Sequence, residues 1–295
     1  MTMQKKVLIT GATGQQGGAV IVELLKAGYE ITGTTRNPFS EKAQLLSDNG
    51  VRMVRADFSD QSTLVSAMKG IDTVFAMSTP YEKGTAIETE QGITLVRAAA
   101  DAGIEHLVYT SVGDADRNTG IPHFDSKFKV EEFIRETGIN ATIIAPAFFM
   151  DNLKSPWYAP ALKEGRFTHA VPPQRKLQMI SLRSIGQFAA SIITRGNEMY
   201  GKRFNIADDE LSGTVTAQIL SEITGRTIVY KGFSPEVMME QNRDFALMYE
   251  WFDKVGYSAD ITFLKTNFPE VNWQSFREWA AAENWSMVQK EMVTH

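Results

Sequence analysis

The chain has 295 residues, 43% of them hydrophobic and 22% charged, and 35 Asp and Glu against 30 Lys and Arg give a net charge of -5. The apolar fraction can build a core, which excludes a disordered chain, and the length allows about two compact domains. The absence of cysteine excludes disulfides, thiolate nucleophiles and cysteine-ligated metals. The mildly acidic charge disfavours direct nucleic-acid binding, which usually shows a basic excess.

Targeting and metal patterns are absent from the sequence. No segment approaches the roughly 20 apolar residues that a membrane helix needs. The apolar run Val7, Leu8, Ile9 is too short for a signal peptide. No two of the four histidines have metal-ligand spacing, so no metal site is expected. We therefore expect a soluble, cytoplasmic protein with no membrane partner.

The first half alternates helix-like and strand-like segments, with a glycine at each junction. Gly28, Gly50, Gly70, Gly103 and Gly138 each follow a helix-like stretch and precede a β-branched or aromatic run. A glycine just past a helix end can adopt the left-handed conformation that terminates the helix, and such runs are typical of buried strands. With the opening run KKVLIT, the pattern predicts six strands separated by helices. It therefore predicts right-handed crossovers and a parallel sheet covered on both faces.

A glycine-rich loop stands between the first strand and the first helix. Gly11, Gly14 and Gly17 form a GxxGxxG spacing. Bare backbone lets a dinucleotide pyrophosphate approach, and the helix N-terminus offers amide donors and the positive end of its dipole. We therefore prefer a phosphate loop to a tight turn without a ligand. The predicted cofactor contacts in this loop are Gly11, Thr13, Gly14, Gln15, Gln16 and Gly17.

These patterns together define the fold class and the domains. We predict an α/β protein, a Rossmann-type doubly wound parallel sheet with a smaller C-terminal α+β substrate lobe. Residues 1–150 form the NAD(P)-binding domain. Prolines interrupt the pattern beyond about residue 150, so residues 151–295 form a substrate or partner lobe that does not fold independently and can return elements to the sheet.

The end of the second strand selects the cofactor. A site for NAD has an acidic residue there for the ribose 2′-hydroxyl. This chain has Thr34, Thr35, Arg36 and Asn37 instead. Arg36 can pair with a 2′-phosphate, which favours NADP(H) over NAD(H), and Asn37 lies beside it. The alternative is a solvated surface arginine.

Further cofactor contacts are expected at the carboxyl ends of the later strands. Asp57 and Phe58 would border the adenine, and Met77, Ser78 and Thr79 would line the nicotinamide ribose. Phe148, just past the sixth strand, is also assigned to the cofactor. For each residue alone, a structural role in a turn is an equal alternative.

Several motifs in this order resemble those of NmrA-like proteins, atypical members of the short-chain dehydrogenase/reductase superfamily. They are GATGQQGG, TTRNP, ADFSD, HFDSKFKVEEFIRETG and PAFFMDNL. The resemblance covers nearly the whole chain, and it implies either an NADP(H)-dependent reductase of quinones, dyes or phenolics, or an NADP(H)-binding redox sensor that acts through a protein partner.

The resemblance also implies catalytic positions. Superfamily enzymes use Tyr-x-x-x-Lys, in which the tyrosine is the acid and the lysine binds the nicotinamide ribose. Here the segment runs from His123 to Lys127, so the lysine is kept and histidine replaces tyrosine. Ser111 is present at the serine position, but Val112 follows it. The usual tyrosine-based reduction is therefore not supported.

Two functions remain open at this stage. In an enzyme, hydride passes from NADPH to a small apolar or aromatic acceptor, Lys127 holds the ribose, and His123 donates a proton. A solvated lysine and an ordinary loop histidine are the alternatives. The acceptor pocket is assigned to Phe149, Asn152, Trp157 and Trp251, residues that otherwise pack a junction between lobes.

In a sensor, NADP(H) occupancy would shift a loop that a protein partner reads. The polar loop between Gly113 and Pro122 is the candidate element. We lean towards the NADPH-dependent oxidoreductase. Whether the protein is a monomer or a dimer stays open at this stage.

Overall fold

A computed structural model describes residues 5–234, 236–240, 242–286 and 288. The chain start at residues 1–4, where no signal peptide is expected, lies outside this range. The described chain divides into two compact units. The first contains the residues up to Ala145 with Leu182–Asn205 and Thr266–Asn272, and the second contains Pro146–Ser181, Ile206–Lys265 and the residues from Trp273 onward. The later half of the chain thus contributes two segments to the first unit.

The described strands are β1 (Lys6–Ile9), β2 (Glu30–Thr35), β3 (Arg52–Arg55), β4 (Thr73–Ala76), β5 (His106–Thr110), β6 (Ala141–Pro146), β7 (Phe148–Phe149), β8 (Arg166–His169), β9 (Lys176–Ile180), β10 (Arg203–Ile206), β11 (Asp209–Ser212) and β12 (Val229–Gly232). The described helices are α1 (Gln15–Lys26), α2 (Glu41–Asp48), α3 (Gln61–Met68), α4 (Thr85–Asp101), α5 (Pro122–Thr137), α6 (Ala159–Lys163), α7 (Leu182–Arg195), α8 (Gly213–Thr224), α9 (Glu236–Met239), α10 (Arg243–Lys254), α11 (Ile261–Asn267) and α12 (Phe276–Ala282). Short 3₁₀ helices span Ala115–Arg117, Met150–Lys154 and Gly196–Met199.

A seven-stranded sheet forms the centre of the first unit, in the order β10-β6-β5-β4-β1-β2-β3. The pairs from β3 through β1 and β4 to β6 are parallel. The order reverses between β1 and β4, and doubly wound sheets bind ligands in the crevice at such a reversal. The predicted doubly wound parallel sheet is confirmed, and β10 adds a seventh strand from the later half of the chain.

The local features that predicted this alternation are present. Gly28, Gly50, Gly70, Gly103 and Gly138 all have positive φ, between 67° and 88°. Each therefore has the left-handed conformation that ends a helix, and glycine adopts this conformation without the steric cost of a Cβ. Strands β4, β5 and β6 are buried along their whole length, as expected for a sheet with helices on both faces.

Two glycines allow helices of the first unit to pack closely. A Cβ at Gly92 of α4 would lie 2.5 Å from the side chain of Val130 in α5. A Cβ at Gly186 of α7 would lie 2.6 Å from the carbonyl oxygen of Ala19 in α1. Any larger residue would force these helix pairs apart, so both close approaches depend on glycine.

The loop that follows β5 is anchored by a polar network from β10. Arg203 donates to the carboxylate of the fully buried Glu131 at 2.9 Å and to the carbonyl oxygen of Val112 at 3.2 Å. Asn205 accepts from the backbone N–H of Asp114 at 3.0 Å and donates to its side chain at 3.1 Å. The start of the loop predicted as the moving element of a sensor is therefore held by several hydrogen bonds.

The second unit has its own small sheets and core. Strand β9 pairs with β7 and β11, and β8 pairs with β12 in parallel. Its apolar core includes Phe167 of β8, Leu220 of α8, and Phe276 and Trp279 of α12. Within the residues that the structure describes, no helix is long and apolar enough to cross a membrane.

Candidate cofactor-binding and active site

The glycine-rich loop connects β1, which ends at Ile9, to α1. The backbone N–H of Gly14 donates to the carbonyl oxygen of Gly11 at 2.9 Å, which closes a tight turn. A Cβ at Gly17 would lie 2.3 Å from that same oxygen. Gly14 is the N-cap of α1 and has no side chain to cap it, so the first-turn N–H groups of α1 are left for another acceptor. These features fit a dinucleotide pyrophosphate.

The other predicted loop residues are placed around this turn. Gln15 is exposed and Thr13 is partly exposed. The side-chain oxygen of Gln16 accepts a hydrogen bond from the hydroxyl of Thr110, 2.9 Å away at the end of β5. The loop is thereby tied to a strand on the other side of the order reversal.

The end of β4 lies against the loop. The hydroxyl of Thr10 accepts from the backbone N–H of Met77 at 2.9 Å. A Cβ at Gly11 would lie 2.7 Å from the sulfur of Met77. Ser78 is buried and Thr79 is partly exposed. The predicted nicotinamide-ribose side and the predicted pyrophosphate loop therefore meet at one edge of the sheet.

Arg36 directly follows β2, as predicted, and its side chain is 65% exposed. Its guanidinium donates to both carboxylate oxygens of Glu82, at 2.8 and 2.9 Å. Asn37 shapes the turn, because its side-chain oxygen accepts from the backbone N–H of Phe39 at 3.0 Å. No feature of the sequence pointed to Glu82 as the partner of Arg36.

Asp57 and Phe58 follow β3. The carboxylate of Asp57 accepts from the backbone N–H and the hydroxyl of Ser59, at 2.9 and 2.7 Å. These two hydrogen bonds are the main reason why the pKa of Asp57 is lowered, and Lys83 and Arg36 lower it further. Phe58 packs against the core of the sheet. Contact of either residue with adenine stays a prediction.

Lys127 of α5 forms a buried ion pair. Its Nζ donates to the carbonyl oxygen of Ser78 at 2.9 Å and lies 2.9 Å from a carboxylate oxygen of Glu88. Glu88 is fully buried on α4, and its second oxygen accepts from the hydroxyl of Ser126. Lys127 is thus held at the carboxyl end of β4, where a nicotinamide ribose is expected.

The environment of Lys127 keeps its charge. Burial by itself would lower the pKa of Lys127, but interactions with Tyr109 and Glu88 outweigh it, and the pKa is raised. Burial also raises the pKa of Tyr109, which is therefore neutral below pH 10. At neutral pH the carboxylate of Glu88 is thus the partner that keeps Lys127 protonated.

Tyr109 brings a hydroxyl to the same cluster. It lies on β5 with 1% of its surface exposed, and its hydroxyl is 3.4 Å from that of Ser78. Such burial makes Tyr109 part of the packing around Lys127 rather than a group open to an acceptor. Its sequence context, within the strand run LVYTS, was typical of a core residue.

His123 begins the same helix, one turn before Lys127. At this spacing both side chains lie on one face of α5. The ring of His123 is 6% exposed and packs edge-on against Phe124, with centroids 4.8 Å apart. A role for His123 as proton donor stays a prediction.

The residues assigned to the acceptor pocket, and Phe148 with them, all belong to the second unit. Phe148 and Phe149 form β7, and Asn152 lies in the following 3₁₀ helix. Trp157 is 81% exposed, whereas Trp251 of α10 packs against Phe252 and Tyr257. Their contact with an acceptor stays a prediction.

A buried histidine in the second unit was missed by the sequence reasoning. His169 is 5% exposed, and its Nε2 has no hydrogen-bond partner among the described residues. Burial lowers its pKa to about 3, so the ring is neutral. With Phe148, Phe167 and Tyr230 it lines a cavity of about 10 Å³, at the lower limit for one water molecule.

In the described part of the chain, no group of three or more His, Asp or Glu side chains could hold a metal ion.

A doubly wound parallel sheet with a glycine-rich loop at the order reversal defines a dinucleotide-binding protein of the Rossmann type. The family model of the NmrA-like family matches residues 3–285, and the chain belongs to this family.

Proteins similar to this chain in sequence include reductases. The chain is 30% identical over 234 residues to quinone oxidoreductase 2 of Escherichia coli, covering 77% of this chain and 78% of that one. It is 28% identical over 240 residues to an NAD(P)H azoreductase of Xenophilus azovorans, covering 78% of each.

The solved structures support the fold. The E. coli quinone oxidoreductase in complex with NADPH has a TM-score of 0.78 at 26% identity, covering 93% of this chain and 98% of that chain. NmrA, a negative transcriptional regulator, in complex with NAD has a TM-score of 0.80 at 18% identity, covering 95% of each chain. The second likeness shows the fold alone.

Proposed function

We propose that the protein is an NADPH-dependent oxidoreductase that reduces a small apolar or aromatic acceptor of the quinone, dye or phenolic type. The observation that carries this proposal is the buried Lys127–Glu88 pair, because it holds an ammonium group, protonated at neutral pH, at the carboxyl end of β4 beside the glycine-rich loop. The relatives named as a quinone oxidoreductase and an NAD(P)H azoreductase support it, as does the solved structure of an NADPH-dependent quinone oxidoreductase.

The residues present fit a nicotinamide dinucleotide. Gly11, Gly14 and Gly17 leave the backbone bare, and the uncapped N-terminus of α1 offers donors to a pyrophosphate. The exposed guanidinium of Arg36, just past β2, supports recognition of a 2′-phosphate. When bound, the reduced nicotinamide supplies the hydride.

Lys127 binds and orients rather than transfers a proton. The ammonium group donates to the Ser78 carbonyl and is ion-paired with Glu88, and with three hydrogens it keeps a donor for a ribose hydroxyl. The raised pKa of Lys127 makes it a poor acid at neutral pH. It therefore contributes a fixed positive charge and a donor, while the proton for the reduced acceptor comes from His123 or from solvent.

The proposal is tested by mixing the protein with NADPH and a panel of quinones, azo dyes and triphenylmethane dyes. Absorbance of NADPH is followed at catalytic protein concentration. We expect turnover by the wild type, and a fall in kcat/KM of about 100-fold or more in Lys127→Ala, with NADPH binding weakened by about tenfold at most through the lost ribose contact. Lys129→Ala is the matched control, since Lys129 is an exposed lysine on the same helix.

Lys127→Ala leaves the carboxylate of Glu88 buried without its partner cation, and an uncompensated buried charge can be destabilising enough to unfold a protein. The double variant Lys127→Met, Glu88→Gln removes both charges together and keeps the test valid if the single variant does not fold. Wild-type protein that binds NADPH tightly but reduces no acceptor would contradict the oxidoreductase.

The second candidate is a redox sensor that binds NADP(H) and acts through a protein partner. The observation that favours it is His123 at the position where the superfamily enzymes carry tyrosine. The fold likeness to a transcriptional regulator is compatible with it. Because the start of the loop after β5 is held by Arg203 and Asn205, a sensor would report occupancy through the later part of this loop or through another segment.

A further inference from the structure

The guanidinium group of Arg36, which was expected to bind the 2′-phosphate of the cofactor, is paired with the carboxylate of Glu82. Arg36 follows β2, and Glu82 lies between β4 and α4. Two N–H to oxygen bonds of 2.8 and 2.9 Å form a parallel, bidentate pair. This fork geometry is the one with which arginine binds carboxylates and phosphates. The protein therefore supplies its own anion at this position.

The location of the pair distinguishes it from an ordinary surface salt bridge. Strands β2 and β4 both pair with β1, on its two sides. The pair therefore spans the crevice at the order reversal, where an adenosine ribose is expected. The side chains are 65% and 52% exposed, so both remain open to a ligand.

The charges around the pair are balanced without a ligand. Lys83 and Arg36 both act on the carboxylate of Asp57, which places two cations and two carboxylates, those of Asp57 and Glu82, in one region. A 2′-phosphate must compete with Glu82 for Arg36. It can do so, because exposed ion pairs are weak and a phosphate carries a higher charge than a carboxylate.

Glu82 also supplies a group that the end of β2 lacks. NAD sites bind the adenosine 2′-hydroxyl through a carboxylate at the end of the second strand. In this chain that strand ends in Thr34 and Thr35, followed by Arg36. The carboxylate arrives instead from the segment that follows β4.

We propose that Glu82 sets the cofactor selectivity: it pairs with Arg36 and accepts the 2′-hydroxyl of NAD(H), and the 2′-phosphate of NADP(H) displaces it. Glu82 thereby reduces the preference for NADP(H) that Arg36 alone would give. The inference rests on the proposed function only in requiring a dinucleotide at the glycine-rich loop.

The test is the affinity of the full-length protein for 2′,5′-ADP and 5′-AMP, measured by calorimetry and repeated with NADP⁺ and NAD⁺. The first two ligands differ only in the 2′-phosphate. We expect Glu82→Gln to tighten 2′,5′-ADP by about three- to tenfold, because the anion that competes for Arg36 is removed, and to weaken 5′-AMP, because the carboxylate that accepts the 2′-hydroxyl is lost. Glu90→Gln, an exposed glutamate on α4, is the control for loss of one negative charge.

A double-mutant cycle measures the coupling between Arg36 and Glu82 in binding the 2′-phosphate. Arg36→Gln should weaken the binding of 2′,5′-ADP by about tenfold or more, and adding Glu82→Gln to it should change this affinity little, since Glu82 acts through Arg36.

If Glu82→Gln binds 2′,5′-ADP no better than Glu90→Gln does, the inference is wrong while the proposed function stands. NADP⁺ binding with the expected selectivity but no turnover of any acceptor contradicts the oxidoreductase alone. A wild-type protein that binds neither dinucleotide contradicts both.

Discussion

At the scale of single residues, the Glu88–Lys127 pair is the feature on which the proposed chemistry depends most. Both groups are removed from water, and such pairs are stable only when their remaining hydrogen-bonding groups are satisfied. The Ser78 carbonyl and the Ser126 hydroxyl do this here. Glu88 is therefore a positioning residue that acts through Lys127.

We expect Glu88→Gln to lower the pKa of Lys127, because burial would then act without an opposing carboxylate. It should also destabilise the protein by about 3 kcal/mol, since the buried charge of Lys127 loses its partner. The pKa can be followed by NMR of isotopically labelled lysine, and stability by thermal unfolding. Glu90→Gln is again the control. An unchanged pKa of Lys127 in Glu88→Gln would show that Glu88 does not determine this pKa.

The pH dependence follows from the direction of the shift. A lysine whose folded pKa is raised contributes stability that is complete below its ordinary unfolded pKa of 10.5 and is lost as pH rises through the folded value. The wild type should therefore keep this contribution up to about pH 10. In Glu88→Gln, burial acts without the opposing carboxylate, so the charged form of Lys127 destabilises the folded state, and stability should rise as pH increases through the lowered pKa of Lys127.

At the scale of elements, the glycine-rich loop illustrates how two adjacent glycines differ. A Cβ at Gly17 would lie 2.3 Å from the Gly11 carbonyl oxygen, whereas the nearest atom to a Cβ at Gly18 is 3.9 Å away. Gly17 is required for the close packing of the loop on α1. Gly18 is an ordinary position in a helix.

We expect Gly17→Ala to weaken NADPH binding by about tenfold or more and to lower the unfolding free energy by about 1–3 kcal/mol, because the loop must shift. Gly18→Ala should bind normally and gain up to about 1 kcal/mol from helix propensity. Fluorescence titration with NADPH and thermal unfolding check both. Equal behaviour of the two variants would mean that the loop has no specific shape for the cofactor.

At the scale of the whole molecule, the sequence was sufficient for the doubly wound sheet and its glycine-terminated helices. These depend on local periodicity, which a sequence carries directly. It was not sufficient for β10, since a short strand such as Arg203–Ile206 contains no information about which sheet edge it joins. The return of α7 to the first unit is likewise a product of tertiary packing.

Glu88 and Glu82, the two site residues that were not predicted, differ in whether a local sequence pattern could have identified them. Glu88 lies four residues before Gly92 and seven before Leu95, all on the buried face of α4. A charge on an apolar stripe is unusual, and could have identified it. Glu82 sits in a loop and meets Arg36 only through the fold, so no local pattern could have indicated the pair.

Hydride transfer to carbon is the most direct measure of the proposed function. NADPH deuterated at the transferred position is incubated with the wild-type protein and a triphenylmethane dye, and the colourless product is analysed by mass spectrometry. We expect one deuterium at the central carbon of the reduced dye, with the rate reduced about 100-fold or more in Lys127→Ala and unchanged in Lys129→Ala. A dye that stays oxidised while the quinones and azo dyes of the panel are also not reduced, or a product that carries hydrogen from solvent at that carbon, would contradict hydride transfer from the bound cofactor.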